Sequence, residues 1–501
     1  MSMILLFAGA LLQIFFLVWA IADCIENPNL RIGRKVLWIV VILLFPFIGI
    51  VAYTFVAPNV VMLLFAFVGV GAYFFRAPKR ATPFSGPRQI ATCFVTFGLS
   101  TGFPYYNIAF FFDYFRDGHG WTQELVTTGA PVAVLLTIMA GPVIVPRVSP
   151  RLLIIVGTAM TFGAFQWFGR LSGNTYEYYG AWCLYMLGYF LSGPIPHQII
   201  ISNWYKLKRG RAMGITYVGV AIVGAMGSKL APSLAGQMDY TEALKLMGFL
   251  LLLASPLALF LIKDKPKDVN QLPDGDETAP SQQIPEAVPV EQPKTFGYLT
   301  GRPAFWFLLF GSAASIGSIA AVNFLMKFVF EEQGFVEQSA RDLLWSKASI
   351  FYLLSSIGGR LLAGYLADKF PRKYVMLVTY AVVAAAIPLL FLVTPAQPNF
   401  VYVFAVVFGF AMGADYMLIP LMAADQFGLA TLGKAMSAIL PTDTIGQFWF
   451  PKLVTELRTL WGGYSSALWA VFGMAALGAA AIALLPKHEA PAAARATDAH
   501  H

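Results

Sequence analysis

Apolar runs separated by short polar breaks fill most of the chain, and many of them are close to the ~20 residues that cross a bilayer as a helix. Three come first, at residues 3–22, 36–57 and 59–75. Six longer ones follow at 89–112, 124–145, 152–169, 179–205, 212–235 and 243–262. Another six run over 303–330, 343–367, 374–393, 400–423, 435–457 and 467–485. The pattern predicts an all-α polytopic membrane protein with two six-helix groups behind about three extra helices. Met1 is followed by neither a basic stretch nor a small-residue cleavage site, so the first run reads as a retained helix.

Basic residues cluster in alternate loops. Arg31, Arg34 and Lys35 follow the first run, Arg76, Lys79 and Arg80 the third, and Arg147 with Arg151, the 206–211 stretch and the 263–267 stretch mark later loops. Lys and Arg concentrate on the cytoplasmic side, which places the N-terminus outside and the C-terminus in the cytoplasm. The expected setting is an integral, multi-pass protein of a bacterial inner (plasma) membrane. The chain divides into a module at 1–80, a first half at 88–263, a flexible cytoplasmic linker at 264–302, a second half at 303–487 and a disordered tail at 488–501. The linker assignment rests on Pro, Gln, Glu and Asp with little to bury.

Composition narrows this further. With 58% hydrophobic and 12% charged residues, the chain falls far from a soluble globule, in which about a quarter of residues are charged. The net charge of +8 is accounted for by the loops and calls for no nucleic-acid partner. Cys24, Cys93 and Cys183 lie in or beside apolar runs without ligand spacing, so neither a disulfide framework nor a metal site is expected.

Internal repetition supports two parallel halves. Gly210-Arg211-Ala212-Met213-Gly214 recurs as Gly433-Lys434-Ala435-Met436-Ser437 at an offset of 223 residues, and Pro150-Arg151 recurs as Pro371-Arg372 at 221. The most unusual position is Arg360, inside an apolar run that ends in Gly364-x-x-x-Asp368-Lys369-x-Pro371-Arg372-Lys373. An arginine in hydrocarbon costs from ~2.5 to more than 10 kcal/mol unless it faces protein or water, so it marks either a substrate site or an internal salt bridge.

That ending resembles the short cytoplasmic loop of the major facilitator superfamily, with Asp368, Lys369 and Arg372 as its conformational charges; Arg147 stands where the first copy's Asp would project. The stretches 203–214, 263–275 and Phe427-Gly428-x-x-x-x-Gly433-Lys434-Ala435 resemble the monocarboxylate porter and oxalate/formate antiporter branch. The resemblance implies two six-helix halves and secondary transport. It also implies that Arg360 binds a carboxylate, because Arg360 matches the branch's arginine on the eighth helix. The branch's proton-handling aspartate, four residues earlier, is replaced by Ser356, and its second cation on the eleventh helix falls on Asp443, so a doubly charged oxalate fits poorly. Trp19, Asp23, Asn27-Pro28, Lys35, Trp38, Phe45-Pro46, Gly49 and Tyr53 resemble the membrane module before phospholipase D and cardiolipin synthase enzymes. The His-x-Lys of that chemistry is absent: Trp121, Ile199 and Ala490 stand two places after His119, His197 and His488, and His500 is followed by His501 alone.

Other polar positions in the runs are candidate pore lining: Tyr105, Tyr106 and Asn107, His197 beside Pro194 and Pro196, Asn323, and Tyr416. Asp415 and Asp443 are candidates for proton coupling or ion pairing, Asp443 with Arg360 or Lys347 as its possible partners. A charge inside a membrane helix must face the protein interior. Lys229 and Lys327 lie nearer helix ends, where a long side chain snorkels. The sequence thus points away from an enzyme and cofactor. It points to a secondary transporter of mono- or dicarboxylates in the lipid bilayer, working as a proton symporter or an anion exchanger. An exporter of drugs or metabolites is the alternative within transport, and a non-transporting sensor or lipid-handling protein is the alternative outside it. The twelve-helix part is expected to stand without residues before about Pro83.

Overall fold

The computed structural model describes residues 2–26, 84–138, 144–206, 208–275 and 294–486. The predicted runs at 36–57 and 59–75 and the tail fall outside these residues. The chain divides into two compact units, Met1–Gln283 and Ile284–His501. Among the described residues, eight helices are long and apolar enough to cross a membrane.

In the first unit, α1 (Ser2–Glu26) packs against α2 (Gly86–Phe97), and Phe7 meets Phe103 edge-on at 5.2 Å. The run read as a single span at 89–112 is segmented. α2 passes into a π-helical turn at Gly98–Gly102, then α3 (Phe103–Ile108), a 3₁₀ turn at Ala109–Phe111 and α4 (Phe112–His119). The local reason is Pro104, which withholds an N–H from the ladder, while Gly98 and Gly102 let the backbone close on a neighbouring helix. A Cβ on Gly102 would lie 2.2 Å from the Val220 carbonyl oxygen. α5 (Gln123–Thr137) and α6 (Pro150–Phe168) start at Thr122 and Ser149, whose hydroxyls accept from the N–H groups of Leu125 and Leu152.

The run predicted at 179–205 is likewise two helices, α7 (Thr175–Ser192) and α8 (Pro194–Trp204), parted at Gly193. α9 (Arg209–Ala235) packs on α2 and its π turn. α10 (Tyr240–Leu251) and α11 (Ala254–Leu261) together form one apolar stretch against α6.

The second unit begins with a short helix, α12 (Phe296–Thr300), capped by Thr295. Then come α13 (Pro303–Glu332), α14 (Gln338–Lys369), α15 (Arg372–Ala386) with a 3₁₀ extension at Ile387–Leu392, α16 (Phe400–Phe427), α17 (Leu429–Trp461) and α18 (Tyr464–Ala483). α14 lies along α16, α13 along α17 and α18, and α15 between α16 and α18. Leu361, Phe310 and Leu477 are exposed on the outer faces. Large apolar side chains so placed suit contact with lipid, which carries no hydration cost for them.

The linker departs from the expectation of flexibility over its first dozen residues. Leu261 and Lys263 bond reciprocally to the Gln89 side chain, and the Trp204 indole and Asn203 amide donate to the carbonyls of Lys263 and Asp264. The Asp264 carboxylate accepts from the Arg151 N–H at 2.9 Å. Further on, the buried Asp274 accepts from the N–H groups of Lys206 and Lys208 at 2.9 and 3.2 Å. Lys208 is the cap residue of α9 and makes no capping bond with its own side chain, so Asp274 supplies an anion at that helix start from 66 residues away. Within residues 264–275, two of the acids that suggested disorder are acceptors for backbone N–H groups at and before helix starts.

Asp274→Ala is expected to strand both N–H groups and to destabilise the protein by about 1–3 kcal/mol. A thermal unfolding midpoint equal to that of the wild type would exclude this role.

Candidate functional site

In the second unit the site is built where α14 and α16 touch at backbone level. A Cβ on Gly359 would stand 1.8 Å from the Phe410 carbonyl oxygen, on Gly409 2.1 Å from that of Tyr352, and on Gly413 2.0 Å from that of Ser356. Only glycine admits this approach, which relies on small residues as membrane helix contacts commonly do. It brings Arg360 against α16. Half-buried, the side chain donates from Nε to the Gly413 carbonyl at 3.3 Å.

Asp415 on α16 and Asp443 on α17 are buried, with about 0 and 1% of their surface exposed. Ser315 Oγ donates to Asp415 Oδ2 at 2.7 Å and Ser312 Oγ to Asp443 Oδ1 at 2.6 Å. The second oxygen of each carboxylate has no hydrogen-bond partner among the described residues. The fully buried Tyr380 hydroxyl of α15 faces the same acids without a hydrogen bond of normal geometry. Asp443 therefore meets Ser312, and neither Arg360 nor Lys347 stands within ion-pair distance of it. Ser312, Ser315 and Tyr380 escaped the sequence reading. The signal that could have found them is Ser312-x-x-Ser315 in an apolar helix, since residues three apart share a face.

Asn323 accepts from the Tyr352 hydroxyl, while its Nδ2 is buried without a partner among the described residues. Tyr416 is exposed and donates to Gln447 Oε1 at 3.2 Å. Lys327 differs from the expectation of a snorkelling side chain. It is buried and paired with Asp342 at 2.6 Å, because α14 enters beside the end of α13 with an acid in its first turns. Lys229, by contrast, is exposed. In the charged turn, Arg372 pairs with Asp425 at 2.6 Å and Lys369 lies 4.5 Å from the centre of the Tyr365 ring; the Asp368 side chain lies outside the described set.

In the first unit, Asn107 ties α3 to α9. Its Nδ2 donates to the carbonyls of Phe103 and Gly224, and its Oδ1 accepts from Ser228 at 2.9 Å. Tyr105 packs on Tyr106 at 4.9 Å and on Tyr189 at 6.2 Å. His197 is buried, stacked on Phe97 at 4.9 Å, with Nδ1 2.8 Å from the Gly193 carbonyl and Nε2 2.9 Å from Thr96 Oγ1. A carbonyl only accepts, so Nδ1 carries a proton and, in the neutral ring, Nε2 is the acceptor. The helix break explains a second bond. Ser192 ends α7 before the non-helical Gly193, so its carbonyl has no donor from its own helix, and Ser100 Oγ donates to it at 2.8 Å.

A sequence model of the Major Facilitator Superfamily matches residues 98–451 and 341–500, most of the chain. The chain belongs to this superfamily. Membership goes with the integral, multi-pass architecture described above. A model of the phospholipase D-nuclease N-terminal region matches residues 15–58, the stretch whose resemblance was noted above.

Similar curated proteins are fungal. The Fujikurins efflux protein of Gibberella fujikuroi is 26% identical over 312 residues, 59% of each chain. MFS-type transporter 1 of Ophiocordyceps sp. is 24% identical over 342 residues, 64% of this chain and 66% of that one. The chain thus spans about three fifths to two thirds of these relatives, and the expected bacterial membrane finds no support in them. Among solved structures, a bacterial homologue of the human lysosomal transporter Spinster, inward-facing and unoccupied, covers 81% of this chain and 95% of its own at a TM-score of 0.56 and 14% identity, a likeness of fold.

The superfamily member's broken helix gives a direct test. Ser100→Ala is expected to cost about 1–3 kcal/mol by orphaning the Ser192 carbonyl. A thermal unfolding midpoint equal to that of the wild type would contradict this.

Proposed function

We propose that this superfamily member is a secondary transporter of small organic anions, with Arg360 as the carboxylate anchor and Asp415 with Asp443 as the proton-handling groups. The observation that carries the reading is the pair of buried acids. Each holds one serine hydroxyl, and among the described residues neither pairs with a cation. A buried carboxylate without a counter-charge is too costly to remain ionised through a cycle, so it takes up and releases a proton. A guanidinium offers a planar, two-point match to a carboxylate, and its charge persists at every physiological pH. Within the second unit Asn323 and Tyr416 are the proposed lining; within the first, taken by itself, Tyr105, Tyr106, Asn107 and His197 are, with Asn107 acting chiefly as a helix tie. Asp368, Lys369 and Arg372 form the conformational loop, and basic loop charge places that loop and the C-terminus in the cytoplasm. Exchange against a counter-anion would use the same anchor without the protons.

A second reading, export of a larger apolar metabolite, is favoured by the efflux role in the name of the Gibberella fujikuroi relative. Movement of hydrophobic compounds but of no radiolabelled carboxylate in proteoliposomes would select it.

Arg360→Lys is expected to lower carboxylate uptake by about tenfold or more with an unchanged size-exclusion profile, because lysine keeps the charge and loses the fork. Asp443→Asn is expected to retain anion binding while uptake ceases to respond to an imposed pH gradient. Full uptake in Arg360→Lys removes Arg360 from the site, and an intact gradient response in Asp443→Asn removes Asp443 from coupling.

A further inference from the structure

The two acids are part of a larger set of oxygens. Ser312 and Ser315 lie three residues apart on α13, so their side chains project from one face about 5–6 Å apart. Each holds a different carboxylate, Asp443 at 2.6 Å and Asp415 at 2.7 Å, which brings two acids from α17 and α16 side by side. Both serines are fully buried, as is Tyr380, whose hydroxyl comes from α15, faces the acids and makes no hydrogen bond of normal geometry among the described residues. One oxygen of each acid is also without a partner among the described residues. Four helices therefore contribute two carboxylates and three hydroxyls to one buried cluster.

Hard cations select oxygen ligands of this kind. A serine that donates its proton to a carboxylate keeps its lone pairs for a cation, so the hydrogen bonds already present do not consume the ligands. Two buried negative charges need two positive ones, and a proton on one acid with a metal cation on the other supplies both. A divalent ion would neutralise the pair without a proton, but it must shed a tightly held hydration shell to enter a buried site, whereas a monovalent ion sheds its shell more readily.

We propose that Ser312, Ser315, Tyr380, Asp415 and Asp443 form a sodium site within the second unit, so that sodium and protons compete for the same acids. The inference shares Asp415 and Asp443 with the transport reading above and is independent of Arg360 and of the anion.

The test uses the purified full chain in detergent, titrated with sodium chloride against choline chloride at constant ionic strength, at neutral and at mildly alkaline pH. A ligand that binds only the folded state raises the unfolding midpoint. Sodium is expected to raise it saturably, at lower concentrations in the alkaline series, where fewer protons compete. Ser312→Ala and Ser315→Ala, which remove ligands but no charge, are each expected to weaken the apparent sodium affinity by about tenfold. Arg360→Lys is expected to keep the sodium response, so a failure of the anion reading leaves this experiment intact. Equal midpoints in sodium and choline at both pH values overturn the proposal, as does a sodium response unchanged in both serine variants. Equilibrium binding of radioactive sodium to the wild-type protein, displaced by acid, decides the matter if a variant fails to fold.

Discussion

Inside a bilayer a backbone carbonyl has no water to turn to, and this constraint accounts for much of the polar chemistry found here. The break at Gly193 leaves the Ser192 carbonyl at the end of α7 and Ser100 captures it; beside the same break, the Gly193 carbonyl accepts from His197 Nδ1–H. On the other unit, the Gly413 carbonyl receives Arg360 Nε. In each case a side chain that looks functional in a sequence also answers to the main chain. The positions of Arg360 and His197 are set by the backbone groups they satisfy, which holds them in fixed orientations.

Close helix approach is the second organising element. Gly359, Gly409 and Gly413 bring α14 and α16 together without side chains between them, and Gly98 and Gly102 do the same against α9. Without hydration to drive association in lipid, such contacts supply dispersion and short-range polar bonds in its place. They also determine which polar groups can meet, since Arg360 reaches Gly413 only because Gly413 carries no side chain.

The fold was largely legible in the sequence because hydrophobic length and loop charge are strong, additive signals. Residue counts alone divide the chain near 264, and the 223-residue offset announces two related halves. The interruptions were harder to read. Pro104 and Pro194 are visible, but whether a proline bends a helix or parts it depends on what satisfies the freed carbonyls, and those donors come from other helices. For the site, Arg360, Asp415 and Asp443 stand out as charges in apolar runs. Ser312, Ser315 and Tyr380 do not, because a hydroxyl in a membrane helix can bond to its own preceding turn and imply nothing. The linker was misread for a related reason: Asp264 and Asp274 look like solvated charge until the N–H groups of Arg151, Lys206 and Lys208 are seen in front of them.

The buried Lys327–Asp342 pair has an electrical consequence. Whether both groups are ionised or the proton has passed between them, the pair carries a dipole and no net charge, so the membrane voltage does no net work when the two move together. An ionised Asp415 or Asp443 is in a different position, because one elementary charge carried across the full field is worth ~2.3 kcal/mol for every 100 mV. Voltage can therefore act on the acids of α16 and α17 while the lysine five residues from the end of α13 stays electrically silent.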